Sequence, residues 1–237
     1  MRADAADPVE AWNRHKATLK KNMDILNRMQ LKWIHMRNSL GTDLRVELPE
    51  NHIWLGGSDI SADGVEFIAN MPTEEIFSVP ARGGVNGRAV SSVPLNYNGN
   101  LIEGFSFTFK NGRITGFRAE KGQESLKRLI DTDEGSHYLG EIALVPYHSP
   151  ISERKILFYN TLFDENASCH MAIGKAYPVC LQGSESMSRE ELIAAGVNDS
   201  LVHVDFMFGT ADLEIEGMTS GGQTVPIFRN GDFALKK

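Results

Sequence analysis

The segment LVHVDFMFG, residues 201–209, is the most informative part of the chain because it has the pattern of a buried strand with two polar side chains. Successive strand side chains point to opposite faces, so His203 and Asp205 share one face while Val204 and Phe206 share the other. Burying an unpaired carboxylate costs free energy, and a divalent cation is one of the few partners that satisfies both polar groups. The segment therefore predicts a strand with a metal site on one face.

Composition limits the class of protein. The 237 residues include 24 Lys and Arg against 31 Asp and Glu, a formal net charge of −7. Nucleic acids and anionic membranes require clustered basic residues, so we expect neither as a partner. Cys169 and Cys180 form no secreted disulfide framework, and the sequence has no apolar run of about 18 residues and no apolar signal region. These features predict a cytoplasmic globular protein.

The first part of the chain is expected to open with one long helix. Asp7 and Pro8 are a cap and a first-turn proline, and apolar residues then recur at near-helical spacing as far as Gly41. We expect an amphipathic helix within residues 1–40, followed by a catalytic domain over residues 41–237. Residues 42–48 alternate as a strand, and residues 52–57 are its expected partner.

The remainder mixes hairpins with scattered helices, which predicts an α+β fold with a mixed, largely antiparallel β-sheet. The segment LIEGFSFTFKNGRITGFRAEKG (101–122) is a hairpin pattern with an Asn-Gly turn. Ser188 and Glu191 form a capping box for a short helix that ends at Gly196. Other expected elements are a helix at 123–130 and strands at 155–163, 212–216 and 225–228.

Three further segments hold polar side chains among apolar or small residues: NMPTEEIF (70–77), YLGEIALVP (138–146) and LFDENASCHMAIGKAY (162–177). Glu141 alone could equally form a buried salt bridge, and His170 alone is more typical of a core histidine. Taken together, the candidates offer only oxygen and imidazole ligands, which suit zinc, cobalt or manganese in a catalytic role. The predicted metal ligands are Glu75, Glu141, His170, His203 and Asp205.

Two divalent ions, three carboxylates and a bridging hydroxide would form a neutral cluster, as a partly buried site requires. Such a pair of ions can hold the hydroxide, polarise a carbonyl and bind the developing oxyanion, which is hydrolytic chemistry. A two-metal phosphoesterase could use the same ligands, but it would need basic groups for the phosphate, and the ligand segments have none.

Four blocks, NMPTEEIFSVP, RAEKGQESLKRLIDTDEGSHYLGEIALVP, LFDENASCHMAIGKAYP and NDSLVHVDFMFG, resemble signature blocks of the aminopeptidase T/S family of dinuclear metallo-aminopeptidases. The resemblance runs from about residue 6 to residue 233. It implies removal of N-terminal amino acids from peptides by a dimeric, cytoplasmic enzyme with two divalent ions, which could be Zn, Co, Mn or Mg. It places metal ligands at the five residues named above and an active-site tyrosine at Tyr177.

The sequence allows more than one role for Glu74 and more than one function for the chain. Glu74 could be the catalytic base, could bind the substrate ammonium or could simply be solvated, because on a strand only one of Glu74 and Glu75 would face the metals. Members of the family also carry an N-terminal domain that we expect to be absent here. The alternative to an enzyme is therefore a truncated family member that folds, dimerises or binds metal or peptide without turnover.

Overall fold

The computed structural model describes residues 2–235, which form an α+β fold. It contains four α-helices: α1 (Pro8–Met29), α2 (Gln123–Ile130), α3 (Thr161–Asp164) and α4 (Arg189–Ala194). Its strands are β1 (Leu31–Arg37), β2 (Asp43–Glu47), β3 (Asp59–Ile60), β4 (Glu66–Phe67), β5 (Ile76–Ser78), β6 (Val85–Val90), β7 (Leu95–Tyr97), β8 (Asn100–Ile102), β9 (Ser106–Lys110), β10 (Arg113–Arg118), β11 (Leu139–Leu144), β12 (His170–Gly174), β13 (His203–Met207), β14 (Glu214–Thr219), β15 (Thr224–Arg229) and β16 (Asp232–Phe233). Within the described residues, no helix has both the length and the apolar character that crossing a bilayer requires.

The long first helix is present but shorter than predicted. The Asp7 side chain accepts a hydrogen bond from the Glu10 N–H and caps α1, with Pro8 in the first turn. The helix ends where Gln30 adopts a left-handed conformation, φ 45°. The prediction of helix up to residue 40 was wrong beyond that point, because Leu31–Arg37 is strand β1. Its apolar residues fit either periodicity over so short a stretch.

The larger sheet has eight strands in the order β10-β9-β6-β2-β1-β14-β15-β16, and each neighbouring pair is antiparallel. Strand β2 lies between β1 and β6, so the predicted pairing of residues 42–48 with residues 52–57 was wrong. The second segment leaves this sheet because Trp54 is fully buried and both its backbone N–H and C=O bond the side chain of Asn27 on α1.

The predicted hairpin is confirmed as β9 and β10. Asn111 and Gly112 both have positive φ, 50° and 81°, as a type I′ turn requires. A Cβ at Gly112 would lie 1.7 Å from the Arg82 backbone oxygen, so only glycine fits there. Helix α2 and the capping box of α4 are also confirmed. The predicted strand at 155–163 was wrong, because Asn160 caps the short helix α3 within that stretch.

A smaller sheet carries the candidate ligands. It has four antiparallel strands in the order β13-β12-β11-β5. Phe206 on β13 packs against Phe105 and Phe107 of the hairpin region, with ring centroids 5.9 and 5.1 Å apart. Aromatic packing on one face of this sheet thus joins it to the core of the molecule. The opposite face is left for polar side chains.

Candidate metal centre

The strand register places the candidate ligands side by side. Glu141 on β11 pairs with Ala172 on β12, and Ala172 pairs in turn with Asp205 on β13. His170 comes two residues before Ala172, and His203 two residues before Asp205, so both imidazoles point to this same face. Because Ala172 contributes only a methyl group between the two carboxylates, the face has room for ions among these side chains.

Glu75 reaches the same face from the segment just before β5, the strand at the opposite edge of the sheet from β13. It lies two residues before Phe77, which pairs with Ala143 on β11, and Ala143 pairs with His170. Glu75 directly precedes β5, and its carboxylate reaches the same imidazole, that of His170, as the carboxylate of Glu141 does. All five residues predicted as metal ligands share one face of the small sheet.

The distances show that these side chains form one cluster. The His170 Nε2 lies 3.0 Å from a Glu75 carboxylate oxygen and 3.6 Å from a Glu141 oxygen. The His203 Nε2 lies 3.8 Å from the second Glu141 oxygen and 3.4 Å from Asp205 Oδ1. Three groups of three residues have ligand atoms within 4.8 Å of one another: Glu75, Glu141 and His170; Glu141, His203 and Asp205; and Glu165, His170 and Asp205.

Glu165 is a member of this cluster that the sequence did not reveal. It begins a short 3-10 helix, Glu165–Ala167, that precedes β12, and its carboxylate joins His170 and Asp205. No strand or helix periodicity marks its orientation. The available signal was an acidic residue five positions before His170, within a segment already singled out for its small residues.

Backbone carbonyls fix the orientation of both imidazoles. The His170 Nδ1 lies 3.2 Å from the Ser168 oxygen, and the His203 Nδ1 lies 2.7 Å from the Lys175 oxygen. A carbonyl oxygen can only accept, so each Nδ1 carries the hydrogen and each Nε2 faces the carboxylates. Histidine ligands of metals in proteins commonly have this outer hydrogen bond.

The charges of the cluster are unfavourable without a cation. Burial, and then the repulsion of Glu75 and Asp205, raises the pKa of Glu141 to about 7, although His170 opposes the rise. Burial raises the pKa of Glu165 to about 8. Burial disfavours a charged His203, yet Asp205 and Glu141 beside it raise its pKa to about 9. Glu141 and Glu165 therefore retain protons towards neutral pH, which a metal ion would displace.

Asp205 gives a direct test of whether a cation fits. Its Oδ1 is buried, and although the His203 Nε2 lies 3.4 Å away, this oxygen accepts no well-formed hydrogen bond from residues 2–235. A buried carboxylate oxygen with so poorly aligned a donor is costly, and a cation would satisfy it better. Nitrogen and oxygen ligands are also the set that catalytic zinc and similar divalent ions prefer. The residues present therefore fit divalent metal ions.

Glu74 lies apart from this cluster. Only 3% of the residue is exposed, so the prediction that it could be solvated was wrong. Arg2 donates two hydrogen bonds to its carboxylate, at 2.6 and 2.9 Å, and the His15 Nε2 lies 3.4 Å away. Strand alternation thus separates Glu74 from Glu75, and this placement does not favour the predicted base or ammonium-binding roles.

Tyr177 lies at the edge of the cluster. Its ring centroid is 4.7 Å from that of His203, and it contacts Phe77 edge to face at 6.4 Å. The residue is 45% exposed. Burial, and then the carboxylates of Glu141 and Asp205, raises the pKa of its hydroxyl, which therefore remains a hydrogen-bond donor at neutral pH.

An open cavity of about 1040 Å³ lies over the cluster. Its acidic lining residues are Asp59, Glu75, Glu141, Glu165 and Asp205, and its larger apolar or aromatic ones are Met23, Leu55, Phe77, Tyr97, Leu162, Tyr177, Val179 and Val204. Among the described residues that line it there is no lysine, no arginine and no Glu74. A ligand in this cavity would contact apolar walls and a floor of carboxylates.

Comparison with known proteins identifies the family of this chain. A family profile described as thermophilic metalloprotease (M29) matches residues 1–233. The chain belongs to this metalloprotease family, which confirms the family indicated by the sequence blocks.

Particular relatives carry aminopeptidase names. Aminopeptidase AmpS of Bacillus subtilis is 53% identical over 234 residues, which are 99% of this chain and 57% of AmpS. Aminopeptidase 2 of Geobacillus stearothermophilus is 52% identical over 235 residues, again 99% of this chain and 57% of the relative. The structure of wild-type AmpT from Thermus thermophilus has a TM-score of 0.90 at 41% identity, covering 96% of this chain and 56% of AmpT. The chain thus spans a little over half the length of these relatives, and the likeness to AmpT confirms the predicted fold class.

Proposed function

We propose that this chain carries the two-metal site of a metal-dependent aminopeptidase, which hydrolyses the first peptide bond of its substrates. The observation that carries the proposal is the cluster of four carboxylates and two imidazoles over one face of the small sheet, to which Glu165 is added from the neighbouring 3-10 helix. Family membership and the names of the relatives support the same activity.

Two ions are proposed because Glu141 is shared. Its two oxygens face different imidazoles, Oε1 towards His170 and Oε2 towards His203. Glu141 belongs to two of the three ligand groups, as His170 and Asp205 also do. A carboxylate whose two oxygens face different imidazoles would suit a bridge between neighbouring ions. We propose zinc, cobalt, manganese or magnesium as the ions, since oxygen and imidazole ligands accept several divalent metals.

When bound, such ions activate a water molecule and polarise the carbonyl that it attacks. The chain's own residues would orient the substrate and move protons. Tyr177 keeps its hydroxyl hydrogen and borders the cluster, so we assign it a hydrogen bond to the oxygen that becomes negative in the transition state. A carboxylate of the cluster would pass the water proton to the leaving amine, a role better suited to the cavity lining than to Glu74.

The charge of the cavity favours a peptide over a phosphoester. Four carboxylates balance two divalent ions, and Asp59 adds a further negative charge. A free N-terminal ammonium fits these surroundings, whereas a phosphate would lack the basic partners it needs. The apolar walls suit the side chain of the first residue.

The proposal is tested by measuring the hydrolysis of leucine amide. The chain is first treated with chelator and is then assayed with and without added zinc, cobalt, manganese or magnesium. We expect turnover that depends on added metal and that Glu141→Gln nearly abolishes. The rival is a module that binds metal or peptide without turnover, and two bound ions with no hydrolysis would favour it. Retention of the wild-type rate by Glu141→Gln would rule out the two-metal mechanism.

We also propose that the chain acts in the cytoplasm as a homodimer. The free, buried cysteines Cys169 and Cys180 support a reducing compartment. Exposed apolar side chains at Ile156, Phe158 and Tyr159 support a contact with a second copy. Sedimentation velocity at micromolar concentration should show a dimer, and a monomer at every concentration would contradict the dimer proposal.

A further inference from the structure

Asn166 connects two segments that carry candidate ligands. Its side-chain Oδ1 accepts a hydrogen bond from the Glu74 N–H at 2.7 Å, and its Nδ2 donates to the Leu162 oxygen at 2.9 Å. Only 1% of Asn166 is exposed. Glu74 directly precedes the ligand Glu75, and Asn166 directly follows Glu165. One buried amide therefore joins the backbone of one ligand segment to that of the other.

These two ligands are the ones that strand pairing does not fix. Glu141, His170, His203 and Asp205 lie within β11, β12 and β13, whose ladders determine their positions. Glu75 instead lies just before β5, and Glu165 lies in a 3-10 helix outside the sheet. A ligand outside regular structure needs another contact to hold its carboxylate in place.

The surroundings of the amide are themselves fixed. The Ser149 Oγ donates to the Asn166 backbone oxygen at 2.8 Å, which holds the segment of Glu165 from its far side. The Glu74 carboxylate is held by two hydrogen bonds from Arg2, and the His15 Nε2 beside it bonds the Thr73 backbone oxygen at 2.7 Å. The bond between Asn166 and Glu74 joins the two segments directly, so it constrains the separation of Glu75 from Glu165.

We propose that Asn166 is a positioning residue that holds Glu75 and Glu165 at the separation required for metal binding. This inference rests on the proposed metal site. Glu75 and Glu165 belong to different ligand groups, so loss of the bond would weaken binding in both. Outer hydrogen-bond partners of metal ligands typically contribute about 10- to 100-fold to metal affinity, and we expect a loss of this size.

The test compares zinc affinity, measured by competition with a chromophoric chelator, for wild type and Asn166→Ala. The matched control is Asn38→Ala. The Asn38 side-chain amide also accepts from a backbone N–H, that of Thr42, and donates to a backbone oxygen, that of Phe208 just beyond the end of β13, but it touches neither the segment of Glu75 nor that of Glu165. Thermal unfolding in chelator records the general stability loss of each variant. We expect Asn166→Ala to bind zinc roughly 10- to 100-fold more weakly and Asn38→Ala to bind it as wild type does.

Two further variants distinguish loss of the bond between Asn166 and Glu74 from a general loss of order in the segment of Glu165. Ser149→Ala releases the segment of Glu165 from its other side while leaving the Asn166 bridge in place, so it should retain wild-type affinity. Asn166→Asp retains the oxygen that accepts from Glu74 and loses the donor to Leu162, so it should bind zinc about tenfold more tightly than Asn166→Ala. An equal loss of affinity in Ser149→Ala and Asn166→Ala would overturn the inference.

Hydrogen exchange in the wild-type chain gives a readout that does not depend on the folding of a variant. Zinc should slow exchange of the Glu74 amide more than that of the Thr42 amide, which Asn38 holds in the same way. Equal slowing at the two amides would overturn the inference, as would wild-type zinc affinity in a folded Asn166→Ala. A wild-type chain that binds no zinc would overturn the proposed function as well, whereas equal zinc affinity in the wild type and in Asn166→Ala would overturn only the role of Asn166.

Discussion

The effect of Glu141→Gln on the free energy of unfolding should change sign when metal is added. Without metal the variant should be more stable than the wild type, and with metal it should be less stable. Glu141 is 5% exposed, and burial with neighbouring carboxylates raises its pKa to about 7 from an ordinary 4.5. The folded-state pKa lies above the unfolded one, so the stability associated with this carboxyl is full below pH 4.5 and is lost as pH rises through 7. At pH 8 the metal-free wild type therefore carries the whole penalty of a buried charge.

The size of this penalty follows from the pKa. At about 1.4 kcal/mol per pKa unit, the rise corresponds to roughly 3 kcal/mol. A glutamine carries no charge but leaves amide hydrogens that need partners, which costs about 1 to 3 kcal/mol where they find none. We therefore expect metal-free Glu141→Gln to be more stable than wild type at pH 8, by at most about 3 kcal/mol.

Zinc should reverse this order. A ligand present at about 1,000 times its Kd stabilises the folded state by roughly 4 kcal/mol, and the wild type should gain this from each ion. The variant lacks the carboxylate that we propose as the bridge between the two ions, so it should gain much less. Urea unfolding at pH 8, in chelator and in saturating zinc, measures both effects, with Glu50→Gln at an exposed position as the control. A variant less stable than wild type in chelator, or equally stabilised by zinc, would refute this reasoning.

Three more predictions concern single residues. Tyr177→Phe should lower kcat for leucine amide by about 100-fold, because it removes the proposed donor to the developing oxyanion. The number of bound ions should not change, and an unaltered kcat would exclude this role of Tyr177. Gly174→Ala should cost more than about 2 kcal/mol in urea unfolding, because Gly174 has φ +102° and a Cβ would lie 2.1 Å from the Val202 oxygen. Burial lowers the pKa of His52, so folding favours its neutral form and stability should fall as pH drops below about 6.5. In His52→Gln the free energy of unfolding should fall less steeply between pH 7 and 5. Equal slopes in the wild type and the variant would contradict this role of His52.

The ligand strands could be predicted because their patterns are local. His203 and Asp205 two residues apart in an apolar run specify one face of a strand, and the register of β12 and β13 confirms it. The Asn-Gly turn at 111–112 and the capping box at Ser188 are likewise complete within a few residues. Such features need no knowledge of distant neighbours.

The features that the sequence missed depend on contacts between distant segments. Strand β1 was taken for helix because apolar positions such as Ile34 fit both periods, and its pairing with β2 and β14 decides the outcome. Glu165 lies on a 3-10 helix whose direction no periodicity encodes. The burial of Glu74 depends on Arg2 and His15, which are 72 and 59 residues earlier in the chain.

The number of metal ions that the chain binds decides whether it carries a two-metal site. A metal count on the purified chain, made after dialysis against zinc and removal of excess ion, measures this number. The shared carboxylate of Glu141 and the cluster around it predict two zinc ions per chain, and Glu141→Gln should hold fewer. A wild-type chain that retains no zinc would contradict the account of this site, and a chain that retains one ion would contradict the bridging role of Glu141.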